Sequence, residues 1–310
     1  MKADLLSISQ LTAGEVSELL DLAARVKAEA AAPLYRDALR GKTLGLLFEK
    51  PSTRTRISFE VAMNQLGGSA LLIQPGDSQM GRGETLEDTA RTLSRFLDGL
   101  MVRTFAHHTV ELWAKHASMP IINGLTDRSH PCQALADLLT VREQFGKLTD
   151  ISIAYVGDGN NMTHSLMMAA ARTGMDIRVA TPKGYEPDPE ITARAADDAA
   201  ATGGRVSVTH NPHDAVAGAH VVYTDVWASM GQEDSHDQRL SDFDGFQVNQ
   251  SLMDRCADDA VFMHCLPAHR GEEVSAEVMD GPRSVVFDQA ENRLHAQKAI
   301  LLRLLGGAPA

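Results

Sequence analysis

Thr43-Leu44-Gly45-Leu46-Leu47-Phe48, followed at once by Glu49-Lys50-Pro51-Ser52-Thr53-Arg54-Thr55-Arg56, is the stretch that decides the fold. The first six residues form a short apolar run, the pattern of a strand buried on both faces. From Ser52 the period changes to that of a helix, predicted over 52–66. Strand into helix is a βα unit, and the unit recurs along the chain. Strands are predicted over 43–48, 70–73, 99–102 and 121–123. Helices are predicted over 12–30, 52–66, 85–97, 108–116 and 131–145. Repeated βα order means a parallel sheet with helices on both faces.

The pattern then restarts. Strands are predicted over 151–156, 177–180, 206–209, 221–223, 260–264 and 285–287. Helices are predicted over 162–173, 191–202, 213–217 and 290–305. The polar, Gly-containing stretch 146–150 separates the two arrays, which gives an α/β protein of two domains, 1–147 and 148–310. The segment 228–247 is polar and aperiodic, the composition of a lid over a site.

The composition narrows the class of function. The chain has 310 residues, 44% hydrophobic and 23% charged, as in an ordinary soluble globular protein. Its net charge is -12, which argues against nucleic acid or an anionic membrane as main partner. An anionic substrate therefore needs a local basic pocket working against the global field. The N-terminus lacks the apolar core of a secretory signal. No stretch approaches the ~18 apolar residues of a membrane helix. The cysteines Cys132, Cys256 and Cys265 are odd in number and widely spaced, as reduced thiols are. The expectation is a cytoplasmic protein.

Ligands of such sheets bind beyond the carboxyl ends of the strands, and the polar motifs lie there. Ser52-Thr53-Arg54-Thr55-Arg56 opens a helix directly after a strand. Free backbone N–H groups and the positive helix end suit an anion. Three hydroxyls and a planar guanidinium add donors matched to phosphate. A simple N-cap would account for Ser52 alone, but not for all five residues. Arg56 is the one expected to point away. Arg103 sits just past a predicted strand, where a solvated edge residue is the competing reading. His130-Pro131-Cys132-Gln133 begins another helix, with Pro131 suited to its first position. His130 and Gln133 there could reach a carbonyl or phosphate oxygen, though a lone histidine is more often structural.

Gly157-Asp158-Gly159-Asn160-Asn161 has the start of a dinucleotide fingerprint but Met162 where a third glycine belongs, and no acidic residue ends the next strand. A Rossmann-type oxidoreductase is thereby kept as an alternative of another class. Asn160 and Asn161 could instead hold the charged end groups of an amino acid. Asp225 follows a strand and suits an ammonium. Cys265, in His264-Cys265-Leu266-Pro267-Ala268-His269-Arg270-Gly271, could be a nucleophile, a polar contact or a small core residue.

Together these motifs resemble the aspartate/ornithine carbamoyltransferase family, and its ornithine branch most. The signatures STRTR, SQ-x-GR-x-ET (78–85), HPCQ, D-x-x-x-SMG and HCLPAHRG occur in the family's order, and Glu291-Asn292-Arg293 extends the match. The SMG and HCLP motifs, and Arg82 with no lysine in the 77–83 loop, point away from the aspartate branch. The resemblance implies transfer of the carbamoyl group of carbamoyl phosphate to the side-chain amine of L-ornithine, with no metal or organic cofactor. Domain 1–147 would bind carbamoyl phosphate and domain 148–310 ornithine, the helix 290–305 packing back on the first. Ser52, Thr53, Arg54 and Thr55 would hold the phosphate. Arg103, His130 and Gln133 would contact carbonyl and phosphate oxygens. Asn161, Asp225, Ser229 and Met230 would hold ornithine. Cys265 and Leu266, largely through their carbonyls, would bind the carbamoyl amide, with Arg293 completing that end. Arg103, His130 and Cys265 would be the catalytic set. Gln79 would reach the site of a neighbouring subunit in a homotrimer. Relatives acting on acetylornithine, succinylornithine or putrescine, and a non-catalytic relative, are the other expectations to be tested.

Overall fold

The computed structural model describes residues 3–29, 33–74, 76, 83–228 and 236–306. The chain divides into two compact units. One comprises Met1–Leu139 with Asn292–Ala310, the other Thr140–Glu291.

The first unit holds strands β1 (Thr43–Phe48), β2 (Ser69–Ile73), β3 (Gly99–Arg103) and β4 (Ile121–Leu125) in the parallel order β2-β1-β3-β4. Helices α1 (Ala13–Ala28), α2 (Pro33–Arg36), α3 (Thr53–Gln65), α4 (Leu86–Leu93), α5 (His107–His116) and the start of α6 (Pro131–Phe145) accompany it. The four interior residues of β1 are buried, as an apolar run demands. One side of the core joins Leu47, Leu100 and Val102 to Val110 and Trp113 of α5 and Ala90 of α4. A Cβ on Gly45 would stand 2.6 Å from a Leu97 methyl and 2.8 Å from a Leu100 methyl, so a side chain there would force these leucines to shift. At the other edge Leu5 bridges Ile122, and Asp4 accepts from Ile121 N at 2.8 Å, so β4 is not left bare.

The second unit holds β5 (Ser152–Val156), β6 (Asp176–Ala180), β7 (Arg205–Thr209), β8 (Val221–Thr224) and β9 (Val261–His264), parallel in the order β7-β6-β5-β8-β9. Helices α7 (Asn161–Thr173) and α8 (Pro189–Thr202) pack together, each closed by a left-handed glycine, Gly174 (φ 72°) and Gly203 (φ 88°). The short helices α9 (Pro212–Val216), α10 (His236–Asp242), α11 (Gln250–Met253) and α12 (Ala276–Met279) follow, then α13 (Val286–Leu305). Tyr155 and Tyr223, from adjacent strands, stack at 6.0 Å.

Two expectations are corrected. The stretch 285–287 is not a strand. Only Ser284 bridges Phe262, and α13 starts at Val286. Valine and phenylalanine favour strands locally, but the buried positions Val286, Gln289, Arg293 and Ala296 run with helical spacing. The segment 228–247 is not wholly irregular either, because α10 lies within it. Among the described residues no helix is long and apolar enough to cross a membrane.

Trp113 is fully buried in the first core. Trp113→Ala should cost about 3–5 kcal/mol of stability. Urea unfolding followed by circular dichroism should show a clearly lower midpoint; an unchanged midpoint would mean Trp113 is not a core residue.

Candidate functional site

In the first unit the β1-to-α3 turn is fixed by Ser52. Its Oγ caps the helix, accepting from Thr55 N at 3.3 Å, and donates to Thr55 Oγ1 at 3.1 Å. Thr55 is buried, whereas Thr53 and Arg54 are exposed at the helix start. Arg56 turns to Glu60, pairing at 3.0 Å. A cavity of about 380 Å³ opens there, lined by Glu49, Pro51, Ser52, Thr53 and Arg56 among others.

Arg293 joins this turn from far along the chain. Its guanidinium donates to Thr55 Oγ1 (3.1 Å) and to Gln133 Oε1 (2.7 Å). Gln133 Nε2 in turn donates to Asp137 Oδ1 at 2.8 Å, one turn on in α6. Asp137 is the residue that sequence reasoning missed; its position four residues after Gln133 on a helix was the available signal. His130 and Arg103 are both buried. Burial, then the charges of Arg293, Arg103 and Arg54, hold the His130 imidazole well below its usual pKa. It is therefore neutral at physiological pH. Burial pushes the Cys132 thiol up to about 12, so that cysteine is an inert core residue. The charges of these three arginines, acting on one imidazole, are local positive charge in a chain of net charge -12.

In the second unit Asn160 caps α7, accepting from Met162 N (2.9 Å) and Thr163 N (3.2 Å). Its amide donates to Asp225 Oδ2 at 3.1 Å. Asp225 Oδ1 accepts from Val226 N at 2.9 Å and from the Cys265 thiol at 3.0 Å. Asp225 is thus a buried carboxylate held by three donors, and the thiol proton is directed at it. Asn161 is the first residue of α7, next to this group. Leu266 has a left-handed backbone (φ 61°), unusual for a branched residue, and its N–H is held by His264 Nδ1 at 2.8 Å. Asp158 pairs with Arg239 of α10 at 2.8 Å, which also donates to the Trp227 carbonyl. Burial raises the Asp158 pKa and the Arg239 charge opposes that rise. Arg239 was invisible in the sequence because the pair spans 81 residues.

The glycine pair that suggested a dinucleotide has another purpose. A Cβ on Gly159 would lie 2.2 Å from Pro187 N, and Gly159 N donates to Tyr185 O at 2.8 Å. Gly159 makes room for the 185–187 backbone. Gln79, Arg82, Ser229 and Met230 lie outside the described residues.

Residues 3–143 match the family "Aspartate/ornithine carbamoyltransferase, carbamoyl-P binding domain" and residues 149–304 its "Asp/Orn binding domain". An ornithine carbamoyltransferase of Symbiobacterium thermophilum is 56% identical over 302 residues, 97% of each chain. One from Methanocorpusculum labreanum is 53% identical, covering 98% of this chain and 99% of its own. The solved ornithine carbamoyltransferase of Pyrococcus furiosus superposes with a TM-score of 0.95 at 52% identity, over 99% of this chain and 98% of that one. No oxidoreductase reading survives this, and the chain belongs to the aspartate/ornithine carbamoyltransferase family.

Proposed function

We propose that the chain transfers the carbamoyl group of carbamoyl phosphate to the side-chain amine of L-ornithine, giving L-citrulline and phosphate, a step of arginine biosynthesis in the cytoplasm. The observation that carries this reading is the gathering of Arg54, Arg103 and Arg293 about a neutral, buried His130 beside the α3 helix start. The whole-length likeness to ornithine carbamoyltransferases supports the same substrate pair over acetylornithine, succinylornithine or putrescine.

In this reading Ser52, Thr53, Arg54 and Thr55 hold the phosphate, with α3 supplying N–H donors. Arg103, His130 and Gln133 contact the carbonyl and phosphate oxygens, and Arg293 completes that end. Asp225, Asn161, Ser229 and Met230 hold the α-amino and α-carboxyl groups of ornithine. The carbonyls of Cys265 and Leu266 accept from the carbamoyl amide. The amine nitrogen forms a bond to the carbamoyl carbon, and negative charge moves to the carbonyl oxygen. Fixed donors stabilise it there. The C–O bond to phosphate then breaks, phosphate leaves with the electron pair, and the nitrogen loses its proton. Holding both substrates with water excluded supplies the rest of the rate. The domain expected to bind carbamoyl phosphate spans 1–147 and that for ornithine 148–310, with the helix 290–305 belonging with the first.

Phosphate release assayed with ornithine, acetylornithine, putrescine and aspartate tests the substrate directly; ornithine should dominate. Asp225→Asn cannot balance an ammonium. It should raise KM for ornithine about tenfold or more, since a charged hydrogen bond contributes roughly 1.5–3 kcal/mol. Carbamoyl phosphate affinity, read by calorimetry, should not change. Wild-type ornithine kinetics in this variant would remove Asp225 from the site.

The rate should climb with pH. The ornithine side-chain amine should resemble lysine, with pKa about 10.4, so its reactive neutral fraction grows about tenfold per unit below that value. His130 contributes no break above pH 6.5, because its pKa lies below that range. A flat profile from pH 6 to 9 at subsaturating ornithine would exclude limiting attack by the free amine.

The homotrimer, with Gln79 entering a neighbour's phosphate site, predicts complementation. Mixed and reassembled Gln79→Ala and Arg54→Ala subunits should recover activity above either variant treated alone. Verified hybrids with no gain, or a fully active monomer, would dismiss the shared site.

A further inference from the structure

A second group of chemically capable side chains lies on the turn after the Cys265 loop. Gly271, at φ 95°, donates its N–H to Val274 O at 2.8 Å, and Glu272 N donates to His269 O at 3.0 Å. This reversal brings His269, Glu272 and Glu273 to one side. His269 Nδ1 stands 3.6 Å from Glu272 Oε2 and 3.9 Å from Glu273 Oε2. One ligand atom from each of the three lies within 4.8 Å of the others. Zinc–ligand bonds of about 2.0–2.2 Å separate neighbouring tetrahedral ligands by roughly 3.4 Å. Small rotations of the exposed side chains would close the difference.

Glu273 is 0% exposed. Its Oε1 accepts from His269 N at 2.5 Å and lies 3.2 Å from His264 Nε2. Its Oε2 is buried, has no hydrogen-bond partner, and faces His269 Nδ1. A buried carboxylate oxygen without a donor is costly. A cation bound against it removes that cost. Glu272 Oε1 lies 3.7 Å from His236 Nε2, so a second imidazole stands close by.

We propose that His269, Glu272 and Glu273 form a site for a divalent first-row transition metal such as zinc or cobalt. One imidazole and two carboxylates suit such an ion. His269 and Glu272 are 49% and 31% exposed, so water fills the remaining positions. Glu273 also reaches back to His264, next to Cys265, so the ion would stiffen the loop that carries Cys265 and Leu266. The nearby trio Asp225, His264 and Cys265 is a competing cluster and belongs to the site already described.

Cobalt(II) titration of the metal-free protein separates the two. The wild type should bind one equivalent, with visible d–d bands and no thiolate-to-cobalt charge-transfer band. His269→Ala and Glu272→Gln should each lose this binding while their circular dichroism stays native. Cys265→Ser should retain it. Absence of saturable binding, retention in either of the first two variants, or a charge-transfer band that vanishes with Cys265→Ser would overturn the proposal.

Discussion

Arg293 is a cation only 4% exposed, and a buried guanidinium must find acceptors. It finds Thr55, 238 residues away, and Gln133, 160 residues away. Those two bonds tie the start of α3, the start of α6 and the interior of α13 into one cluster. The first unit includes the segment from Asn292 on, which follows the whole second unit in sequence. Arg103 and His130 share that cluster. The positive charge gathered there is what an anion would meet, in a chain whose overall field repels it.

The second unit handles charge the opposite way. Asp225 is a buried carboxylate with its oxygens committed to Asn160, Val226 and Cys265. Three fixed donors keep one geometry, and a carboxylate so held still has acceptor capacity suited to a cation. The Cys265 thiol donates to Asp225 at 3.0 Å, a polar contact that fixes the direction of its proton. Asp158 and Arg239 balance each other beside this group and link α10 to the turn before α7.

Glycines show how one residue type can mislead. Gly157 and Gly159 read as a partial cofactor motif because the spacing is right. In the fold Gly159 is small because the 185–187 backbone crosses it, at a distance no Cβ could allow. The same physical property, absence of a side chain, serves close approach of protein backbone here and of a pyrophosphate elsewhere.

The βα repeats, both parallel sheets and the placement of STRTR, HPCQ, Asp225 and HCLP after strands are legible in the order of residues. These are local matters of period, capping and composition, so a window of a dozen residues holds them. Local reading fails at 285–287, where strand-like residues begin α13 because the buried stripe continues with helical spacing. The Arg293–Thr55, Arg239–Asp158 and Cys265–Asp225 pairs exist only in the folded chain. Each joins residues 40 or more positions apart. No local pattern encodes such a pairing, because it is set by where the packed sheets deliver the ends of their strands.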